Sequence, residues 1–184
     1  MVVIVGKSRL KENLFAAELA IFLAISAQLT IPLPLVPLTG QTLAVGVLAS
    51  ITSYRLANKS LIVYVLLGLI GLPVYASAGA GVGVLFGPLG GFIWGFFIQA
   101  WLIIACRHRP TFGYLVFGNL VGGLAQLIIG SLWLMAFNHL SLMAAAASGL
   151  IPFLIPGAIK AVLAAMVANI LLAKVKLPFH VNER

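Results

Sequence analysis

The chain alternates between long apolar runs and short interruptions that are rich in proline, glycine or basic residues. Six apolar stretches cover residues 14–31, 41–54, 60–72, 87–105, 113–137 and 153–173. A helix that crosses a bilayer needs about 20 mostly apolar residues. The pattern therefore predicts an all-α integral membrane protein with six transmembrane helices. The second and third are short and are tilted, partly re-entrant or extended by flanking residues.

Basic residues interrupt these stretches at every second boundary. They lie before the first stretch, between the second and third, between the fourth and fifth, and after the sixth: Lys7, Arg9, Lys11, Arg55, Lys59, Arg107, Arg109, Lys174, Lys176 and Arg184. The opposite loops, at residues 32–40, 73–86 and 138–152, contain no lysine or arginine. Because cytoplasmic loops carry the excess of basic residues, both chain ends are predicted to face the cytoplasm.

The composition excludes an ordinary soluble domain. Only 8% of the residues are charged and 62% are hydrophobic, whereas soluble domains carry about 25% charged residues. In a soluble protein, a net charge of +8 would suggest binding to nucleic acid. Here the basic residues indicate the membrane topology, so no nucleic-acid partner is predicted. The first apolar stretch is too long for a signal peptide. Residues 1–184 are thus expected to form a single multi-pass domain in the cell membrane.

Two uncharged loops on the side opposite the basic clusters have unusual sequences. We name them the proline-rich loop, residues 31–40 (IPLPLVPLTG), and the glycine-rich loop, residues 71–91 (GLPVYASAGAGVGVLFGPLGG). Such stretches cannot be simple helices, and they form either a lid over an external cavity or compact turns. The residues in or beside them that we select as candidate substrate contacts are Gln41, Tyr75, Ser77, Gly79, Phe86 and Phe92.

A lysine inside the sixth stretch is the most informative single residue. Lys160 follows Pro156 and Gly157 by about one helical turn. A lysine at the centre of a membrane helix costs roughly 2.5–3.5 kcal/mol, and neither Glu12 nor Glu18 lies near it in the predicted topology. A ligand carboxylate is therefore expected to bind Lys160, next to Pro156 and the N-terminal turn of the helix. The alternative is a lysine whose stem reaches back to the interface.

Alanines and amides within the apolar stretches admit two interpretations each. Ala16, Ala20 and Ala24 share one face of the first helix, where another helix of this chain or a different subunit can approach closely. The amides within or at the ends of the helices provide either interhelical hydrogen bonds or a binding cavity; they are Gln28, Gln41, Gln99, Asn119, Gln126 and Asn169.

Catalytic and metal-binding motifs are missing from the sequence. It contains no aspartate, no HExxH, no GxSxG and no P-loop, and its histidines are scattered. We therefore predict no enzyme, no cofactor, no metal site and no ATP hydrolysis by this chain. The remaining classes are a substrate-binding transport protein and a non-transporting membrane scaffold.

Three segments resemble the BioY family, the biotin-specific S components of energy-coupling-factor (ECF) vitamin transporters. They are residues 36–43 (VPLTGQTL), 71–92 (GLPVYASAGAGVGVLFGPLGGF) and 152–165 (PFLIPGAIKAVLAA), and the resemblance covers nearly the whole chain. It implies a six-helix S component that binds biotin near the extracellular side, with the proline-rich loop as a gate. It also implies a transmembrane coupling subunit and two ATP-binding subunits as partners, with Ala16, Ala20 and Ala24 as the docking surface.

Three positions depart from the family pattern. Leu89 and Phe92 stand where the family has threonine and tyrosine, and Ala158 stands where it has aspartate. Each change removes a polar group. A ureido N–H group of biotin that the aspartate would accept must find another acceptor here. Weakened biotin affinity or a different small vitamin is the alternative that these departures leave open.

Overall fold

Helices dominate the computed structural model, which describes residues 2–107 and 111–174, with side chains from residue 9 onward. Six helices of 11 or more residues match the predicted stretches in number and order: α1 (Val2–Gln28), α2 (Gln41–Ile51), α3 (Tyr54–Leu69), α5 (Gly90–Cys106), α6 (Phe112–Asn138) and α8 (Leu154–Lys174). The first begins well before the apolar run that predicted it. The predicted cytoplasmic residues Arg109, Lys176 and Arg184, and the side chain of Lys7, lie outside this described part.

Two short helices occupy segments that the sequence analysis assigned to loops. They are α4 (Val82–Leu85) within the glycine-rich loop and α7 (Leu142–Gly149) before α8. The second is rich in alanine, the best helix former, and Ser141 caps it by accepting a hydrogen bond from the backbone N–H of Ala144 at 3.2 Å. Both segments that the sequence analysis treated as loops therefore contain a short helix.

The proline-rich loop folds as a small antiparallel hairpin. Strand β1 (Thr30–Ile31) pairs with β2 (Leu38–Thr39), and Thr30 lies opposite Thr39. The three prolines fall between the strands, where no backbone donor is needed. At the tip, Val36 is only 6% exposed and packs in a cluster with side chains of other elements: Phe92, Leu127, Leu134 and Phe153. The loop is thus anchored to the helices rather than free.

Helix α2 lies at the centre of the molecule. Nine of its eleven residues are buried, and it contacts α1, α5, α6 and α8. The missing side chain at Gly46 allows this packing, because a Cβ there would overlap both Asn119 and Ala164. At 1.5 Å per residue, α2 is only about 16 Å long.

Tyr75 anchors the glycine-rich loop to α3. Its hydroxyl donates to the carbonyl oxygen of Val65 at 2.7 Å, and its ring meets that of Tyr64 edge-on, with the centroids 5.5 Å apart. Burial raises the pKa of Tyr75 to about 12, so the hydroxyl remains a donor. The ring lies directly over Gly68, where no Cβ could fit.

Replacing Gly68 with alanine should therefore displace the Tyr75 ring. We expect Gly68→Ala to lower the free energy of unfolding by about 1–3 kcal/mol, the usual range for overpacking. Thermal unfolding in detergent measures this loss, and Gly113→Ala is the matched control because a Cβ at Gly113 meets no neighbour within 4 Å. Equal midpoints for the two variants would contradict the close approach of Tyr75 to α3.

Charged residues of different helices meet at one end of the helix bundle. Glu12 of α1 pairs with Lys59 at 2.5 Å and with Arg55 at 3.2 Å, both on α3. Arg107, which directly follows α5, donates from its guanidinium to the carbonyl oxygens of Ser50 (2.5 Å) and Thr52 (2.8 Å). Burial lowers the pKa of Arg107 to about 10, so it stays cationic at neutral pH. We call these four residues the charged end.

The alanine face of α1 is used inside the chain. Ala16 and Ala20 are 1% and 0% exposed and belong to the main apolar core, while Ala24 is half-buried against it. Helix α1 packs most extensively on α3, and small residues spaced by four permit this close approach. Ala16 and Ala20 are thus buried within this chain, and the docking surface for another subunit on this face stays a prediction.

Large apolar side chains cover much of the outer surface. Two helical stretches, Phe112–Asn138 and Leu142–Lys174, are long and apolar enough to cross a membrane by length and composition. The exposed apolar residues of α8 illustrate the coverage: Ile155, Ile159, Val162, Leu163, Met166, Val167 and Ile170. Soluble monomers rarely expose contiguous apolar patches larger than a few hundred Å². This surface suits a lipid environment.

Candidate ligand-binding site

A cavity of about 550 Å³ lies beneath the proline-rich loop. It is bounded by that loop, the glycine-rich loop and parts of α2, α5, α6 and α8. Pockets for small molecules usually measure about 300–1,000 Å³ and combine apolar walls with a few polar groups. Apolar walls come mainly from Ile93, Phe96, Phe117, Leu120, Leu124, Leu127 and Phe153. Its size and lining fit one small, largely apolar ligand.

Lys160 lines this cavity, as the sequence predicted for a ligand contact. Its ammonium donates to the carbonyl oxygen of Thr39 at 2.6 Å and to the hydroxyl oxygen of Thr42 at 3.2 Å. The acidic residues that the structure describes, Glu12 and Glu18, form no ion pair with it. Because an ammonium has three donors, one proton and the full charge remain for a ligand.

Gln41 also lines the cavity, but both the nitrogen and the oxygen of its amide form hydrogen bonds within the protein. The nitrogen donates to the hydroxyl of Tyr64 at 2.5 Å, and the oxygen accepts from the hydroxyl of Thr39 at 3.0 Å. Gln41 therefore joins the proline-rich loop to α2 and α3. These bonds fix the side chain at the cavity wall, and a direct contact between Gln41 and a ligand stays a prediction.

The predicted contacts of the glycine-rich loop divide into two groups. Tyr75 and Ser77 line the cavity, whereas Gly79 and Phe86 do not. Gly79 closes a turn by accepting the backbone N–H of Tyr75 at 3.0 Å. Phe86, 56% exposed, ends α4 and lies beside the ring of Trp94, with the centroids 6.1 Å apart. Direct ligand contacts of Gly79 and Phe86 stay predictions, although neither residue lines this cavity.

Around the start of α8, the cavity is lined by Gly157 and Ala158 but not by the predicted Pro156. Pro156 lies in the first turn of the helix, where its missing N–H is tolerated. Leu89 and Phe92, which depart from the family pattern as Ala158 does, also line the cavity. All three residues that depart from the family pattern therefore line the cavity.

Sequence reasoning missed Thr39 and Thr42 as polar wall residues. It left Gln99, Asn119 and Gln126 open between interhelical hydrogen bonds and a cavity; all five line the cavity. The signal available was the presence of these amides in otherwise apolar helices. Sequence spacing could not tell which of them face a cavity.

Metal-binding side chains do not converge in the described part of the chain. Residues 2–107 and 111–174 contain no group of three or more His, Cys, Asp or Glu side chains that could hold an ion. His139 ends α6 in a left-handed conformation, with a φ of 53°. His108 and His180, which the sequence analysis judged too scattered for a metal site, lie outside this part.

Comparison with known protein families identifies the family of this chain. The model of the BioY family matches residues 5–177. The chain belongs to the BioY family. Among BioY proteins, "Biotin transporter BioY2" of Lactococcus lactis subsp. cremoris (strain MG1363) is 34% identical over 168 residues, which span 89% of this chain and 90% of that protein. "Biotin transporter BioY" of Thermotoga maritima is 32% identical over 161 residues, which span 86% and 92% of the two chains.

A solved structure carries the same fold as this BioY chain. It is a crystal structure of the S-component for biotin from an ECF-type ABC transporter, with a TM-score of 0.79 and 24% sequence identity. The match covers 91% of this chain and 94% of that chain. The predicted S-component fold is thereby confirmed. The BioY relatives are named as transporters, in agreement with the prediction of a transport protein rather than an enzyme.

Proposed function

We propose that this BioY chain is the biotin-binding S component of an ECF vitamin transporter. The names of its BioY relatives and the likeness to an S component for biotin support this function. The observation that carries it is a cation, Lys160, that lines a largely apolar cavity and has no carboxylate partner among the described residues. A ligand with one carboxylate and an apolar body matches such a cavity.

The chemistry of biotin fits these groups. Biotin has a monoanionic carboxylate at neutral pH, an apolar tail and a neutral bicyclic ring system with a ureido group. In this proposal Lys160 binds the carboxylate, while Phe92 packs against the apolar part of the ligand. Tyr75, Ser77 and Gln41 line the same cavity and complete its wall. The half-buried lysine gains a counter-ion, which offsets part of the cost of removing its charge from water.

The proposed topology has six membrane-crossing helices with both chain ends in the cytoplasm. The charged end supports it, because Glu12, Arg55, Lys59 and Arg107 mark one side of the bundle as polar. The short helix α2 can end within the membrane, since its nine buried residues are shielded by other helices and the proline-rich loop continues it. The protein is then a multi-pass component of the cell membrane.

Delivery of biotin into the cell requires partners in this proposal. The sequence lacks a P-loop, so two ATP-binding subunits and a transmembrane coupling subunit supply the energy. Ala16 and Ala20 are buried against this chain, so they are not part of the proposed docking surface. Ala24, which is half-buried, remains available to it.

Calorimetry on the purified protein in detergent tests the proposed function. We expect biotin to bind, and biotin amide to bind at least about tenfold more weakly because it cannot form the ion pair with Lys160. Riboflavin and thiamine serve as controls for other vitamins and should release no heat of binding.

Each other result has a definite meaning. Absence of biotin binding would contradict the proposed ligand and favour another vitamin or a scaffold. Equal affinity for biotin and biotin amide would support biotin as the ligand but contradict the ion pair between its carboxylate and Lys160.

A further inference from the structure

Two glutamines of the cavity each bury an amide oxygen that has no hydrogen-bond donor. Gln99 of α5 and Gln126 of α6 are both 2% exposed, and both line the cavity. Among the described residues, no N–H or O–H group reaches Oε1 of either one. Buried acceptors are almost always paired in folded proteins, so two unpaired ones at a single cavity require an explanation.

The orientation of both amides follows from their neighbours. The nitrogen of Gln99 donates to the carbonyl oxygen of Thr42 at 2.9 Å, and the nitrogen of Gln126 donates to that of Phe92 at 3.1 Å. A backbone carbonyl can only accept, so the amide nitrogen must face it. The oxygens are therefore the unpaired atoms. Protein atoms cover each of them in this structure, so a ligand donor reaches the oxygen only when the side chain turns about its nitrogen contact.

Thr42 connects this acceptor wall to the cation of the cavity. Its carbonyl oxygen accepts from Gln99, and its hydroxyl oxygen accepts from Lys160. A positive donor and an unpaired acceptor thus flank the same residue. The complementary ligand carries an anionic group together with N–H or O–H donors, because only such groups can satisfy the two glutamine oxygens.

We propose that Gln99 and Gln126 accept hydrogen bonds from the ureido N–H groups of biotin and thereby determine specificity for a ligand with N–H donors. This inference rests on the proposed function. Ala158, which also lines the cavity, offers no side-chain acceptor. A site built from unpaired acceptors rejects a ligand that lacks the matching donors.

A double-mutant cycle between protein and ligand tests this role. The variants are Gln99→Met and Gln126→Met, which keep the side-chain length and remove the acceptor. The ligands are biotin and its N,N′-dimethyl derivative, in which both ureido N–H groups are replaced. We expect each variant to weaken biotin binding roughly tenfold and to change binding of the dimethyl derivative by less than about threefold.

A control variant removes an amide elsewhere. Asn58→Leu deletes an amide that accepts the indole N–H of Trp101 at 2.8 Å and does not line the cavity. Its affinity for both ligands should equal that of the unmodified protein. If a methionine variant does not fold, Gln99→Asn and Gln126→Asn serve the same comparison, because they withdraw the oxygen by one methylene.

The outcomes separate this inference from the proposed function. If the unmodified protein does not bind biotin, the proposed function fails. If it binds biotin and the folded variants keep the affinity within about threefold, the two glutamines are not acceptors for the ligand, while the biotin-binding function stands. Equal losses for biotin and its dimethyl derivative would likewise overturn the inference, since the amides would then only shape the cavity.

Discussion

Lys160→Met should weaken biotin binding by roughly two orders of magnitude and leave the unliganded protein folded. A hydrogen bond to a charged group contributes about 1.5–3 kcal/mol, and leaving a buried charge unpaired costs more. The ligand carboxylate would lose both its donor and its counter-ion. Stability without ligand should change by about 1 kcal/mol or less, because losing the bonds to Thr39 and Thr42 is offset by no longer desolvating a cation.

Calorimetry with biotin, combined with thermal unfolding in detergent, measures both quantities. Lys174→Met is the matched control, because it removes an exposed lysine from the far end of the same helix and should leave affinity unchanged. A folded Lys160→Met variant with full affinity for biotin would show that the carboxylate binds elsewhere in the cavity.

Arg107→Met should have the opposite profile, with a large loss of stability and little change in biotin affinity. The guanidinium donates to carbonyl oxygens at the C-terminal end of α2, where a cation also interacts favourably with the helix dipole. We expect the free energy of unfolding to fall by about 2–4 kcal/mol. The cavity, near the N-terminal end of α2, should be unaffected.

Arg107→Lys provides the graded control for this variant. Lysine keeps the positive charge but cannot donate in the planar fork of arginine, so its midpoint of thermal unfolding should fall between those of the unmodified protein and Arg107→Met. An unchanged midpoint for Arg107→Met would contradict a stabilising role of the buried guanidinium. Biotin titration of the same samples checks that the ligand site is intact.

The six helices of 11 or more residues could be predicted from sequence because long apolar runs leave few alternatives for 184 residues. Lys160 could be predicted as a cavity residue because a cation in an apolar helix needs a special environment. Which loop residues line the cavity was harder to predict. Gly79, Phe86 and Pro156 lie beside cavity residues in sequence but do not line the cavity, because turns and short helices set side-chain directions that spacing alone does not reveal.

The alanine face marks another limit of sequence reasoning. Small residues at Ala16 and Ala20 indicate that a helix approaches closely, but the pattern is the same whether that helix belongs to this chain or to another. The structure shows α3 packed there. The two unpaired glutamine oxygens could likewise not be predicted, since the sequence identifies an amide without showing which of its atoms has a hydrogen-bond partner.

The buried tip of the proline-rich loop affects the rates at which a ligand enters and leaves the cavity. A ligand that passes this loop must wait until Val36 leaves its cluster, and exposing a buried valine costs about 1.5–3 kcal/mol. The loop is then open for less than about a tenth of the time, and the association rate falls by the same factor. If the tip seats equally well over a bound vitamin, departure slows to a similar extent. Affinity then stays the same but the residence time of the ligand lengthens, so the loaded protein has more time to meet the partner subunits of the proposed function.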